Sequence, residues 1–413
     1  MLRLFCWGLG GLVAGLLLYT LVSFLLVRRE LGHVRRDLAA VTWERLTYGS
    51  SADGTAPLHA LLVRPRAAPG PRLLVMMHGY TESAADCFSA AVHWARRGRA
   101  VVVPDLRGRT SELRYPVPLL WRRRPLALPG WRTSVRLFVA PLAKDRFTSA
   151  GEPDSGGVEV ADLLDAAEAA RGRVRGLEPR ADIVGYSGGG TSALLAAMRA
   201  PHRFARVMAF FPMVDLAAQW RRLRRLGTRP LAELERWMGG TPAQAPGRYA
   251  ARRLMDGLPN LRYARVAVYS DSADRYCPVE TMRELGRRSA DHDNIQVRIS
   301  GPGDAARWHH DTADEDSPLH RAPWPESPPV AGAWQGEWVV LGYLITPGVE
   351  VWLGDGQEGL ARCTITRAGD AVGVSLAGDI ESARVRVRDG ARWHERRVPR
   401  DGRVSVTLDG GEQ

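Results

Sequence analysis

Ala181-Asp-Ile-Val-Gly-Tyr-Ser-Gly-Gly-Gly-Thr-Ser-Ala-Leu-Leu195 crowds four glycines around one serine, between an apolar run and a helix-forming run. Within it, Gly185-Tyr186-Ser187-Gly188-Gly189 fits the pattern G-x-S-x-G. In that pattern the serine sits on a sharp strand-to-helix turn in a strained conformation, with its hydroxyl exposed. The residues two before and two after it must be small, because neighbouring backbone passes close by. Gly185 and Gly189 occupy those positions. A helix starting there aims unpaired N–H groups and the positive end of its dipole at the serine. A plain glycine-rich turn is the competing reading, and the surroundings of the motif decide between the two.

Working outward, Thr42 to Tyr48 and Leu58 to Val63 read as strands joined by a Ser-Ala-Asp-Gly turn. Arg72 to Met77 is a short continuous apolar run, as a buried parallel strand requires. Ala84 to Arg97 has helical periodicity, and Ala100 to Asp105 is the next strand. Gly157 to Arg171 and Ser187 to Arg199 read as helices, with strands at Ala181 to Val184, Arg206 to Phe210, Arg265 to Ser270 and Ile295 to Ile299. Pro278 to Ser289 is a helix with proline in its first turn. Strands alternating with helices imply right-handed crossovers and a mostly parallel sheet covered on both faces. Residues 110–150 and 216–260 interrupt the alternation and are read as insertions. Residues 312–330, acidic and rich in proline, are read as a linker.

Residues 331–413 follow a different period. Val349 to Leu353, Ala371 to Leu376, Ala383 to Val387 and Arg403 to Leu408 alternate apolar and polar, with Gly-Asp turns between them. That predicts a small antiparallel β-sandwich as an accessory domain. Exposed Trp352 or Trp393 would give it a carbohydrate-binding surface; tryptophan packed in the core is the alternative.

At the other end, Leu4 to Val27 carries no charge. As a helix it is ~36 Å long, enough for a ~30 Å hydrocarbon core. Residues 1–30 therefore read as a single-pass transmembrane anchor. A cleaved signal peptide is the rival, but Arg28-Arg29-Glu30 stands where small residues should. Arg28, Arg29, Arg35 and Arg36 follow the span and only Arg3 precedes it, so the catalytic part is expected to face the cytoplasm. Gly11-Leu-Val-Ala-Gly15 has the GxxxG spacing of a weak homodimer.

With 45% hydrophobic and 25% charged residues, the 413-residue chain is globular in composition, and too long for one ordinary domain. Its net charge of +12 does not point to nucleic acid. Lys144 is the only lysine, and no zinc-finger spacing, aromatic ribonucleoprotein motif or basic arm is present. Four scattered cysteines make neither a metal motif nor a disulfide framework.

An activated serine needs a base and an acid to orient it, in the order acid then histidine for this kind of fold. Asp271 and Asp274 lie at the end of the Arg265–Ser270 strand. Asp274 is the better candidate, being in a loop just before a helix, with Asp271 as a turn residue. After the last parallel strand come His309 and His310, of which only one can reach the serine. No third ligand is spaced to make them a metal site. His78-Gly79-Tyr80 ends the third strand, so the backbone N–H groups of Tyr80 and Gly188 are the candidate oxyanion hole.

With these motifs in order, residues 41–311 resemble the α/β-hydrolase superfamily, closest to its prolyl-oligopeptidase-like and dienelactone-hydrolase-like branches. The resemblance rests on Ser-Ala-Asp-Gly54, Met-His-Gly-Tyr80, Pro-Asp-Leu-Arg-Gly108, Gly-Tyr-Ser-Gly-Gly189 and Ser-Asp-Ser-Ala-Asp274. It implies a Ser–His–Asp acyl-enzyme mechanism without a cofactor, carried by Ser187, Asp274 and His309 or His310. Trp308 replaces the glycine usual before that histidine, and the insertion after Gly108 is long. The expected activity is hydrolysis of a small-molecule or lipid-like ester, less readily an amide. An acyltransferase with the same residues, or a non-catalytic binding protein on a hydrolase fold, are the alternatives. Trp121 to Trp131, WRRRPLALPGW, is read as a lid, or as a segment that rests on the membrane beside the site.

Overall fold

Alternate residues of Leu73–Met77 (β3) enter different cores. Leu73, Val75 and Met77 pack on one face of the sheet, and Leu74 and Met76 on the other. A strand with both faces covered by helices has to be apolar throughout, which is why this run shows no alternation. The computed structural model describes residues 36–67, 70, 72–112, 116–118, 136–138, 146–227, 230–302, 304, 334–356, 358–368, 371–378, 382–399 and 403–407. The expected anchor, WRRRPLALPGW, the linker, His309 and His310 lie outside the described residues. Among the described residues no helix is long and apolar enough to cross a membrane.

The main sheet has eight strands. Val41–Tyr48 (β1) and Leu58–Pro65 (β2) pair antiparallel, and β2 pairs antiparallel with Ala100–Pro104 (β4). From β4 onward every pairing is parallel: β3, then Ala181–Tyr186 (β5), Phe204–Phe210 (β6), Arg265–Asp271 (β7) and Ile295–Ser300 (β8). The spatial order is β1-β2-β4-β3-β5-β6-β7-β8. Helix Phe88–Arg96 (α1) shares a core with Leu74, Met76 and Val101. Glu159–Arg173 (α2) and Gly188–Arg199 (α3) cover the opposite face. Of the insertion after Gly108, the described parts are two short strand pairs, Thr110–Glu112 with Arg146–Thr148 and Pro116–Pro118 with Arg136–Phe138. The second insertion holds Leu216–Leu226 (α4), Pro230–Met238 (α5), Pro246–Ala250 (α6) and a 3-10 helix at Leu254–Tyr263. Val279–Arg288 (α7) follows β7.

The C-terminal strands depart from the expectation. They are Gly336–Leu341 (β9), Tyr343–Thr346 (β10), Val349–Leu353 (β11), Leu360–Ala368 (β12), Ala371–Ala377 (β13), Ser382–Asp389 (β14), Arg392–Pro399 (β15) and Arg403–Thr407 (β16). They form one continuous antiparallel sheet, ordered β15-β14-β11-β10-β9-β12-β13-β16, and not the two sheets of a sandwich. Its inward residues, among them Val349, Val351, Leu353, Val385 and Val387, close one core. Trp352, one residue out of phase, points the other way: it is 5% exposed, stacks on Tyr343 and joins the core of the first domain. It is therefore no part of an exposed carbohydrate platform. Trp393 is exposed, with the Arg386 guanidinium over its ring.

Candidate active site

Ser187 caps α3 with φ 54° and ψ −121°. A side chain at positive φ is strained, and such strain persists only where the surroundings impose it. Here the glycines impose it. A Cβ on Gly185 would lie 2.0 Å from the Gly189 carbonyl oxygen, and one on Gly189 would lie 2.4 Å from that of His78. The Ser187 N–H is bonded to the Phe210 carbonyl (2.8 Å), so the turn is also pinned to β6.

The His78-Gly79-Tyr80 loop comes up against this turn. A Cβ on Gly79 would stand 3.7 Å from Ser187 Cβ, and one on Gly188 would strike the Tyr80 ring. The carbonyl of Gly79 accepts two hydrogen bonds, from the Glu82 N–H (3.0 Å) and from His78 Nδ1 (2.8 Å). His78 Nε2 accepts from the Leu106 N–H (3.3 Å), which fixes the proton on Nδ1. Burial lowers the His78 pKa to about 4, so the ring is neutral and keeps this tautomer. In a trans peptide the C=O and the next N–H point in opposite directions. Pinning the Gly79 carbonyl thus directs the Tyr80 N–H to the other side of the loop. The flanking groups are taken as well: Glu82 accepts from the Gly79 N–H (2.8 Å), and Arg109 donates to the Tyr80 carbonyl. The Tyr80 ring packs directly against Gly188.

Glu82 and Arg109 were not among the sequence candidates. Neither belongs to a motif; only the folded loop shows what they hold. Asp105 likewise carries a structural load. Its Oδ1 accepts from the Ala84 N–H (2.6 Å) and Ser111 Oγ (2.9 Å), and burial pushes its pKa up to about 7.

The two aspartates after β7 have different partners. Asp271 uses both oxygens, accepting from the Ala273 N–H at Oδ1 (2.7 Å) and from Ser300 Oγ at Oδ2 (3.0 Å). Its bonds tie the β7 and β8 ends together. Asp274 is held by Oδ1, which accepts from the Tyr276 (2.7 Å) and Cys277 (3.0 Å) N–H groups. Cys277 Sγ donates to the Phe211 carbonyl (3.1 Å), which couples the Asp274 loop to the end of β6, where Ser187 is pinned. Burial raises the Cys277 thiol pKa, so this thiol stays protonated and serves packing.

Two family models cover this assembly. The prolyl oligopeptidase family matches residues 144–294, which contain Ser187 and Asp274, and the acetyl xylan esterase family matches residues 25–117, which contain the His78–Tyr80 loop. Over these residues the chain is similar to prolyl-oligopeptidase-like serine hydrolases. No curated protein matches its sequence. Among solved structures, the hydrolase is similar to an esterase of Pyrococcus furiosus, with 13% identity and a TM-score of 0.43 over 65% of this chain and 85% of that one. It is also similar to the acylaminoacyl peptidase of Pyrococcus horikoshii, with 13% identity and a TM-score of 0.48 over 70% and 41%. The S-formylglutathione hydrolase of Agrobacterium tumefaciens shares 17% identity, with a TM-score of 0.44 over 68% and 93%.

Proposed function

We propose that the hydrolase cleaves an ester through an acyl-enzyme on Ser187. The observation that carries this is the strained Ser187 backbone, enforced by Gly185 and Gly189 and facing the Tyr80 loop. Ser187 Oγ attacks the ester carbonyl as His309 or His310 takes its proton. Asp274 orients that imidazole. The Tyr80 and Gly188 N–H groups receive the developing oxyanion, and each such donor is typically worth ~3 kcal/mol in the transition state. The imidazolium returns the proton to the leaving alcohol, and water then attacks the acyl-enzyme by the same route. The acetyl xylan esterase match over the loop that forms half of the oxyanion hole favours an ester over an amide.

A fluorophosphonate probe should label the wild-type protein and leave Ser187→Ala unlabelled. The variant should keep its fold and lose hydrolysis of p-nitrophenyl esters, since removing a triad member costs ~10⁶ in rate. Residual activity above a tenth of wild type would rule out Ser187 as nucleophile.

The same reading includes a membrane anchor facing the cytoplasm, supported by the uncharged run Leu4 to Val27 and the arginines after it. The full chain should then stay with membranes through an alkaline carbonate wash. Release into the supernatant would refute the anchor.

A further inference from the structure

Resting on that ester reading, we propose that the hydrolase binds an oxyanion, carboxylate or phosphate, carried on the alcohol portion of its substrate. The site is a groove of about 1030 Å³ between α4 and the start of α7. Arg221, Arg222, Arg224 and Arg225, all from α4, line it together with Trp220. Pro278, Glu280 and Thr281 form the opposite wall, and Glu280 is the one acid in the lining.

Arg224 and Arg225 lie in the last turn of α4, where the helix dipole favours positive charge, but the four arginines repel one another. Arg221 repels Arg224 and Arg225, and Arg222 repels Arg225, at the i+3 and i+4 spacings where like charges destabilise a helix. Among the described residues none of the four forms an ion pair. Elsewhere the chain neutralises such arginines locally. Glu284 pairs with Arg287 and Arg288 on α7, and at the start of the 3-10 helix Arg253 pairs with Asp256. Two of the four are already committed to shaping the groove: Arg222 donates to the Arg275 carbonyl, and the Arg224 guanidinium lies 5.2 Å from the centre of the Trp220 ring. Arg221 and Arg225 are exposed. Trp220 gives the groove an apolar surface beside the arginines. An anion on an apolar stem matches that combination.

Position then says which part of the substrate reaches the groove. Gln219 and Arg222 of α4 bond the carbonyls of Tyr276 and Arg275, so the groove is built against the Asp274 loop. The base that the acid orients hands its proton to the leaving alcohol. A groove against the acid loop therefore serves the alcohol side of the ester, away from the oxyanion donors.

The test compares 8-acetoxyoctanoate with octyl acetate, which share an eight-carbon alcohol and differ in a terminal carboxylate. Acetate release by the full-length protein should show a higher kcat/KM for the anionic ester. In the Arg221→Gln, Arg225→Gln double variant, the ratio of the two kcat/KM values should fall about tenfold, through KM. The double variant Arg362→Gln, Arg392→Gln removes the same charge from the C-terminal sheet and should leave the ratio at the wild-type value. An unchanged ratio in the α4 variant, or an equal fall in the remote one, overturns the proposal. Calorimetry with 8-acetoxyoctanoate on Ser187→Ala reads binding without turnover. At least fivefold weaker binding after the α4 substitutions supports the groove, and equal binding overturns it. Wild-type protein that hydrolyses neither acetate would refute the ester reading, while the calorimetric comparison still decides the groove.

Discussion

Arg199, at the end of the helix that starts beside Ser187, donates from Nε to the carbonyl oxygen of Leu341 in the C-terminal sheet, 2.7 Å away. The same buried guanidinium bonds the carbonyls of Gly156, Gly157 and Ala251 and lies 4.8 Å from the centre of the Tyr343 ring. Asn260 adds a second tie, exchanging hydrogen bonds with the N–H and carbonyl of Val339. The C-terminal sheet is thus joined to the helix that starts beside Ser187 by buried polar bonds. Arg199→Met should strand four buried carbonyls and lower stability by about 3–5 kcal/mol. Urea unfolding measures it, and a loss below about 1 kcal/mol would show that the bridge contributes little.

Glycine matters at the turn and not in helices that face open space. Gly189→Ala should abolish Ser187-dependent activity and destabilise the protein, because its Cβ would meet backbone oxygens of His78 and Met77. Gly172→Ala, in α2 with nothing within 4 Å of the added Cβ, should stabilise by about 0.5–1 kcal/mol. Thermal unfolding and ester turnover of the two variants check both signs.

Asp274→Asn should lower kcat at least a hundredfold, since the acid must hold the imidazole in its productive tautomer. Asp271→Asn should cost about 1 kcal/mol of stability through its bonds to Ala273 and Ser300, with a far smaller effect on kcat. If kcat falls more for Asp271→Asn, the two assignments must be exchanged.

Asp105 makes stability depend on pH. Its pKa rises from 3.8 to about 7 on burial, so the folded protein holds a proton that the unfolded chain releases near pH 4. That contribution is fully present below about pH 4 and is lost as pH rises through about 7. Asp105→Asn removes it. The stability of wild type relative to Asp105→Asn should therefore fall between pH 5 and pH 8, measured by urea unfolding. His78 is shifted the opposite way and its Nε2 lies 3.8 Å from Asp105 Oδ1, so the difference reads the Asp105 proton together with its coupling to His78. A rise in the difference over this range would contradict the assignment.

The sequence by itself determined whatever depends on neighbours along the chain. The elbow at Ser187 was legible because its glycines lie within two residues of the serine. The parallel strands were legible because burial on both faces leaves continuous apolar runs such as Leu73–Met77. The Asp274 loop and the His78-Gly79-Tyr80 turn were legible for the same local reason. Tertiary structure decided what depends on pairing across long separations. Alternation located the Val349–Leu353 strand but is blind to which strand lies beside it, so one continuous sheet was read as a sandwich. It also could not show that Trp352 meets Tyr343 and the first domain's core. Glu82 and Arg109 reach the His78-Gly79-Tyr80 loop through side-chain geometry that no spacing encodes. Nothing in the sequence singles out the α4 arginines, because whether a charge finds a counter-ion is settled only when the chain brings other segments, or fails to bring them, within a few ångströms.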